Sequence, residues 1–364
     1  MSRFLYYMII INMLAIITTP VPRLLLLHSN DGALTAILLG AIAGVLFTYM
    51  TVAFFIQFPG QDLIDLLTKH TSHWVRIPVT IYLAVIWFIA GTVTLVMTVF
   101  LLITFLTPLM SIYIITLSIL VTVFFGVLLK TKSVLFTTEI IFILMLPIAL
   151  LMFFKLFTSK QLDFDQVRLA VMHINTLPDY TSFTASMFLF MGCANLIVYN
   201  KYFKEKQYIS KSSVVVISAV GIFMLINSYF IPIGFSGFDQ IDQLLFPWAS
   251  SADSVRMKYG FVERVVFIFM FLFVTIAFLS IIIHWHVAYR LVSSLLRLKV
   301  LQFKQQNFTP FLIVTIFCAL GLWITVQLTQ HQLYLYSMYY YNTLPIFIII
   351  LFLTMRAIKK GAAS

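Results

Sequence analysis

Residues 81–105 pass without one charged side chain, and residues 267–283 do the same. Wound as a helix, the longer run reaches about 37 Å, more than the roughly 30 Å of hydrocarbon in a bilayer. Neither run shows the apolar–polar alternation of a barrel strand. A helix closes all its backbone hydrogen bonds internally, which hydrocarbon demands. Composition agrees: of 364 residues, 62% are hydrophobic and 10% charged, and the mean hydropathy is +1.05. Soluble domains carry roughly 25% charged residues, so soluble, disordered and fibrous classes are excluded. The expected fold is an all-α integral membrane protein.

Hydropathy marks ten segments, at about 4–27, 33–55, 79–105, 109–129, 134–157, 182–203, 214–233, 261–284, 310–328 and 338–357. The first begins after Arg3 but has no small-residue cleavage site behind it, so it is read as a span and not a signal peptide. Basic residues are spread over short loops, so the formal charge of +11 points to membrane orientation and not to nucleic acid. One side collects Arg3, Lys69, Arg76, Lys130, Lys132, Lys201, Lys204, Lys206, Lys211, Arg290, Arg297, Lys299, Lys304, Arg356, Lys359 and Lys360. That is most of the 23 basic residues, and it places both termini in the cytoplasm. The long loops on the other side, including Lys258, hold Asp163, Asp165, Asp179, Asp239, Asp242 and Asp253.

Ten spans divide five plus five. The first starts inside and the sixth outside, the pattern of an inverted repeat, with residues 1–364 one polytopic membrane domain and repeats over about 1–157 and 182–357. Both leading spans contain a candidate break. Thr18-Thr19-Pro20 interrupts the first, with Thr19 as an N-cap before Pro20. Met191-Gly192-Cys193-Ala194-Asn195 interrupts the sixth, with Gly192 as breaker and Asn195 as a new cap. Helices one and six are therefore expected to be discontinuous.

Three stretches carry a resemblance. Phe58-Pro59-Gly60-Gln61-Asp62-Leu63-Ile64-Asp65-Leu66-Leu67 follows segment two; Asp242-Gln243-Leu244-Leu245-Phe246-Pro247-Trp248 precedes Gly260-Phe261-Val262-Glu263-Arg264-Val265 at segment eight. With ten segments and this length, the chain resembles the B-type membrane subunits of bacterial spore germinant receptors, within the amino acid–polyamine–organocation transporter superfamily. The resemblance implies the LeuT-type fold and a place in the inner membrane of the dormant spore. It also implies A-type and C-type partner subunits, and a small nutrient, often an amino acid, bound near the midplane.

The residues give an enzyme no support. Spacing assembles no nucleophile–base arrangement, phosphate loop or metal cluster, and no cofactor is expected. Cys193 and Cys318 sit in apolar runs and form no disulfide framework. His284 and His286, flanking Trp285, read as an interfacial belt. Glu139, about six residues into segment five, is read as a headgroup-level partner of Lys130 or Lys132, or as an ion or proton relay. Glu263 and Arg264 are read as a structural ion pair, or as ligand contacts. The midplane polar groups are Thr18, Thr19, Asn195, Thr275 and Ser280, with Trp87, Gly91 and Phe278 as walls and Phe190, Gly192 and Cys193 at the break in segment six. A pocket without charged groups suits a neutral amino acid, its carboxylate on half-helix amides and its ammonium on unwound carbonyls. The expected function is a ligand-sensing receptor subunit. The alternatives are an amino acid permease and a channel-forming subunit.

Overall fold

Every hydropathic segment folds as helix. The computed structural model describes residues 3–203, 210–257, 262–295, 302–303 and 306–363, with only the backbone described at 302–303, 306–307, Thr18 and Asn175. Lys204, Lys206, Lys258, Arg297, Lys299, Lys304 and the Gly260-Phe261 pair lie outside the described residues, as does the side chain of Thr18. The helices are α1 (Arg3–Leu14), α2 (Val21–Leu27), α3 (Ala33–Phe55), α4 (Leu63–His70), α5 (His73–Phe105), α6 (Ile112–Leu128), α7 (Thr131–Phe157) and α8 (Phe164–Val171). They continue as α9 (Tyr180–Phe188), α10 (Leu196–Tyr199), α11 (Lys211–Ser236), α12 (Pro247–Ser254), α13 (Val265–Leu295), α14 (Thr309–Gln327), α15 (Gln330–Asn342) and α16 (Leu344–Ala363). Among the described residues, the only β-structure beyond an isolated bridge is a two-residue ladder, Gln302–Phe303 with Gln306–Asn307.

Eight stretches are long and apolar enough to cross a bilayer, where ten spans were expected. The bent pair Arg3–Ile17 and Val21–Leu27 makes a ninth if it is one span. The remaining segment yields α6, a 17-residue helix, at the lower limit of the roughly 17–25 residues a span uses.

The two expected breaks differ in kind. In the first, Ala15–Thr18 tightens to a 3₁₀ turn, Thr19 is extended (φ −117, ψ 167), and the axis turns by 54°. Pro20, not Thr19, occupies the N-cap of α2. Thr19 braces the corner: its hydroxyl donates to the Ile16 carbonyl at 2.8 Å and accepts from the Val21 amide at 3.4 Å. Segment six does not bend as sharply. Residues 180–202 form one continuous span, in which Leu189–Asn195 is wound as a seven-residue 3₁₀ helix between α9 and α10. Runs of 3₁₀ beyond three or four residues are uncommon, and in mid-helix they mark strain or a hinge.

α1 lies directly against this 3₁₀ stretch. A Cβ on Gly192 would come within 2.7 Å of the Asn12 Cβ and 3.0 Å of the Met8 carbonyl oxygen. The altered winding redirects backbone carbonyls, and neighbours cover them. Asn12 Nδ2 donates to the Leu189 carbonyl at 3.1 Å, and the Thr48 hydroxyl approaches the Phe190 carbonyl at 3.4 Å.

α13 is the central post, packing most extensively on α5 and also against α6, α7 and α12. It continues eleven residues beyond His284, where the eighth segment was expected to end. The His–Trp–His triplet is consequently buried in the bundle and not an interfacial belt. Hydropathy ends the span there because it counts imidazoles as polar, yet each is bonded. The His286 Nδ1–H donates to the Val127 carbonyl at 2.8 Å, which leaves Nε2 to accept from the Thr131 hydroxyl at 2.8 Å. Trp285 stacks on Phe88 at 5.5 Å, and its N–H donates to the Phe88 carbonyl at 3.2 Å.

Arg3 pairs with Glu139 at 3.1 Å, and α16 packs on α4. Glu139 thus takes the N-terminal arginine as partner, not Lys130 or Lys132.

Gly91 faces Trp285, and a methyl group there would stand 2.4 Å from the indole Cδ1. Overpacking of this kind costs about 1–3 kcal/mol. Gly91→Ala is accordingly expected to lower the melting temperature of purified protein, and an unchanged melting curve would show that α5 and α13 separate without cost.

Candidate functional site

The polar groups that meet near the middle of the bundle come from α1, α5, α13, α15 and the 3₁₀ stretch. Asn195, last residue of that stretch, is 3% exposed and accepts at Oδ1 from the Trp87 indole N–H at 2.8 Å. It stands at the N-cap position of α10 but makes no capping hydrogen bond there, its side chain joining α5 to the sixth span instead. His284 stands beside it. Its Nδ1–H donates to the Ser280 carbonyl at 2.7 Å, leaving Nε2 the acceptor nitrogen. Asn195 and His284 line two small cavities. One, of about 20 Å³, is walled by Trp87, Phe188, Met191, Tyr340 and Phe347. The other, of about 10 Å³, is walled by Asn12, Ala15, Ile276 and Ser280. Each has room for about one water.

Of the residues expected there, the fold brings together Trp87, Asn195 and Ser280. Gly192 and Gly91 are close-approach points, against α1 and against Trp285. Phe190 fills the gap between Gly44 of α3 and Gly221 of α11, either of which with a Cβ would collide with its ring. Cys193 is buried, its thiol 3.4 Å from the Phe190 carbonyl. Thr275 bonds back to the Phe271 carbonyl at 2.8 Å, and neither it nor Phe278 lines the two cavities, which take Ile276, Ser280, Ile283 and His284 of α13. Thr19 lines a separate small cavity with Arg23 and Trp248.

Sequence reasoning passed over Asn12 and Tyr340, and it read His284 as part of an interfacial belt and not as a group facing a cavity. A signal existed for Asn12 and His284: Asn12 is a carboxamide inside the first apolar run, and His284 follows Ser280 by one helical turn.

At the far end of the bundle, Glu263 and Arg264 do not pair with each other. Glu263 meets Arg256 at 3.7 Å, and Arg264 bonds Asp253. The backbones of 255–257 and 263–265 also pair, with the Met257 amide donating to the Glu263 carbonyl at 2.7 Å. Here the ionic residues stitch a loop together, away from the central cavities.

The Phe58–Leu67 stretch closes the terminal end of the sixth span. Gly60 turns at φ +72, and its amide donates to the Phe203 carbonyl at 2.9 Å. A left-handed φ favours glycine at such a corner. Asn200 Nδ2 donates to the Phe58 and Gln61 carbonyls, at 2.8 and 2.7 Å. Asp62 caps α4 by accepting from the Asp65 amide at 2.7 Å, and Lys201 reaches Asp65 at 2.9 Å and Asp62 at 3.6 Å.

The Phe58–Leu67 stretch is one of those that carry the sequence resemblance, and a family comparison covers it. The profile of a family described as spore germination protein matches residues 2–322. The chain belongs to the spore germination protein family. No curated protein matches it. In this family member the Asp62 turn is an ionic latch between α4 and the sixth span.

Burial pushes the Asp62 carboxyl above its ordinary range, against the pull of the Asp65 amide and Lys201. The folded state then holds that proton more tightly than the unfolded state. The stability it contributes is complete at low pH and lost as pH rises through the raised value. Lys201→Ala should steepen this fall in melting temperature with pH, since the ionised carboxylate loses its counter-charge. Asp62→Asn in the same background keeps a capping oxygen and should flatten it. Identical pH profiles for wild type and Lys201→Ala would remove Lys201 from the latch.

Proposed function

We propose that this chain is a nutrient-sensing subunit of a spore germination receptor, and that it binds a small neutral amino acid at the Trp87–Asn195–His284 centre. The observation that carries the reading is the convergence there of uncharged donors and acceptors with the two irregular helical stretches. Irregular backbone at membrane depth is tolerated where it is buried in protein or lines a cavity, and half-helix ends offer dipoles to a zwitterion. No charged side chain lines either central cavity, which favours a ligand that brings both of its own charges.

The closed cavities hold about one water each, so ligand entry requires the walls to move. Met191 and Phe188 are the side chains to yield, because methionine has three soft torsions and the 3₁₀ stretch beginning at Leu189 can relax toward α-helix. A site that opens only with ligand suits a sensor, since occupancy then changes the shape presented to neighbouring subunits. The reading extends to A-type and C-type partner subunits, to the inner membrane of the spore, and to a five-plus-five inverted repeat of the LeuT type. It does not call on nucleic acid, metal or cofactor. A permease would use the same centre, and uptake of a labelled amino acid by the chain alone in liposomes, without partners, would favour that alternative.

The test is binding of a panel of common amino acids to purified protein, read by isothermal titration calorimetry. Trp87→Phe removes one neutral hydrogen bond, and the half-maximal concentration is expected to rise about three- to tenfold. Thr275→Val, on a different face of α13, leaves it unchanged. Equal effects at both positions would move the ligand elsewhere.

The orientation is tested separately. With Cys193 and Cys318 replaced by serine, a cysteine at Gln240 is expected to react with an impermeant maleimide from outside intact cells. One at His70 reacts only after permeabilisation. The reverse pattern would invert the bundle.

A further inference from the structure

Arg23, on α2 just past the first break, is half-buried and forms neither an ion pair nor a hydrogen bond among the described residues. Its Nη1 is fully enclosed, whereas Nε and Nη2 are not. A guanidinium taken out of water without a counter-charge is costly, so an anion from outside the chain would relieve it. The carboxylate whose charge reaches Arg23 is Asp242, exposed on the turn Ile241–Gln243 that packs on α2, and the two do not pair. Tyr334 is the other titratable group facing it, and its hydroxyl is spent on the Leu245 carbonyl.

Arg23 lines the cavity of about 10 Å³ that also takes Thr19, Met97, Leu101, Phe246 and Trp248. This cavity lies outward of the central site. On α5 the central wall ends at Ala90 and the outer one begins at Met97, seven residues or about 10 Å further along. On the first span, Asn12 and Ala15 line a central cavity, while Thr19 and Arg23 line the outer one across the bend. No acidic side chain is in the wall. Trp248 is 2% exposed with its indole N–H unpartnered, and the Thr19 hydroxyl already bonds the Ile16 carbonyl and the Val21 amide. The wall thus presents a cation and an unused donor, with no counter-ion. The cavity admits about one water, so a larger anion meets the guanidinium at the two nitrogens left open. Nε and Nη2 form one edge of the guanidinium, which matches the two oxygens of a carboxylate.

We propose that Arg23 binds the carboxylate of an amino acid on the outer side of the first break, as the ligand's first contact on its way to the Trp87–Asn195–His284 centre. The ligand's carboxylate takes over the field that Asp242 now supplies from a distance. Amino acid amides and amino alcohols, which lack the anion, are not recruited. The inference rests on the reading of the centre as an amino acid site, but the carboxylate subsite is tested apart from it.

The test is fluorine NMR of trifluoroacetate, a carboxylate with no ammonium group, titrated into the full chain in uncharged detergent micelles. Its line is expected to broaden, and the broadening to be reversed by an excess of amino acid but not of the corresponding amide. Arg23→Gln should weaken trifluoroacetate binding about ten- to hundredfold, the value of one charge-assisted hydrogen bond. Asp242→Asn, at an exposed position safe for folding, should strengthen it about two- to fivefold, because a competing carboxylate is gone. Trp87→Phe should leave it unchanged, so a failure of the central reading shows in calorimetry alone and a failure of this subsite in the fluorine line alone. Broadening indifferent to both Arg23→Gln and Asp242→Asn, or abolished by Trp87→Phe, would overturn the proposal. So would displacement by chloride as readily as by the amino acid, because Arg23 would then hold an inorganic anion.

Discussion

Hydrocarbon leaves no backbone carbonyl without a partner, and the architecture of this chain turns on where that rule is strained. The strain is concentrated in one seam, α1 against the Leu189–Asn195 stretch. There the 3₁₀ winding takes carbonyls out of the α-helical ladder, and Asn12 and Thr48 cover Leu189 and Phe190. Such cover is possible only because Gly192 lets the backbones close in, with the Met8 carbonyl 3.0 Å from where its Cβ would be. The seam brings Asn12 to one side of Asn195 and leaves the other side to Trp87. The central site is thus a by-product of how a break in hydrogen bonding is repaired.

α13 carries the other half of the site. Its packing on α5 is set by a single aromatic stack, Trp285 on Phe88, over a glycine that has room for nothing more. One residue away, His284 lines both central cavities. A structural residue and a candidate ligand contact are therefore neighbours in sequence, and a change in one is felt by the other. The same Phe88 also lines a second cavity, between α5, α14 and α15.

The charged residues divide cleanly from this centre. Asp62, Asp65 and Lys201 hold the turn after α3 to the end of the sixth span. Arg3 ties α1 to α7 through Glu139, and Arg264 and Glu263 hold separate partners in the far loop. Placing charges at the ends costs less than placing them in the middle, where each would be expensive; Asp62, though buried, is held by the Asp65 amide and Lys201.

Apolar run length alone determined that this chain is a helical membrane protein, because about 30 Å of hydrocarbon leaves few other ways to hide a backbone. Pro20 announced the first break, since a ring nitrogen cannot donate wherever it sits. The Phe58–Leu67 stretch was legible as a family mark, although its task of latching the sixth span was not. What tertiary structure decided was direction. A span's sequence says that Phe190, Cys193 and Thr275 are buried or half-buried, but not which neighbour each one faces. Two glycines from other helices claimed Phe190, and an indole claimed Gly91. His284 was misread for the same reason. Hydropathy counts an imidazole by its cost in oil, and only packing supplies the Ser280 carbonyl and the neighbouring Asn195 that make its burial affordable.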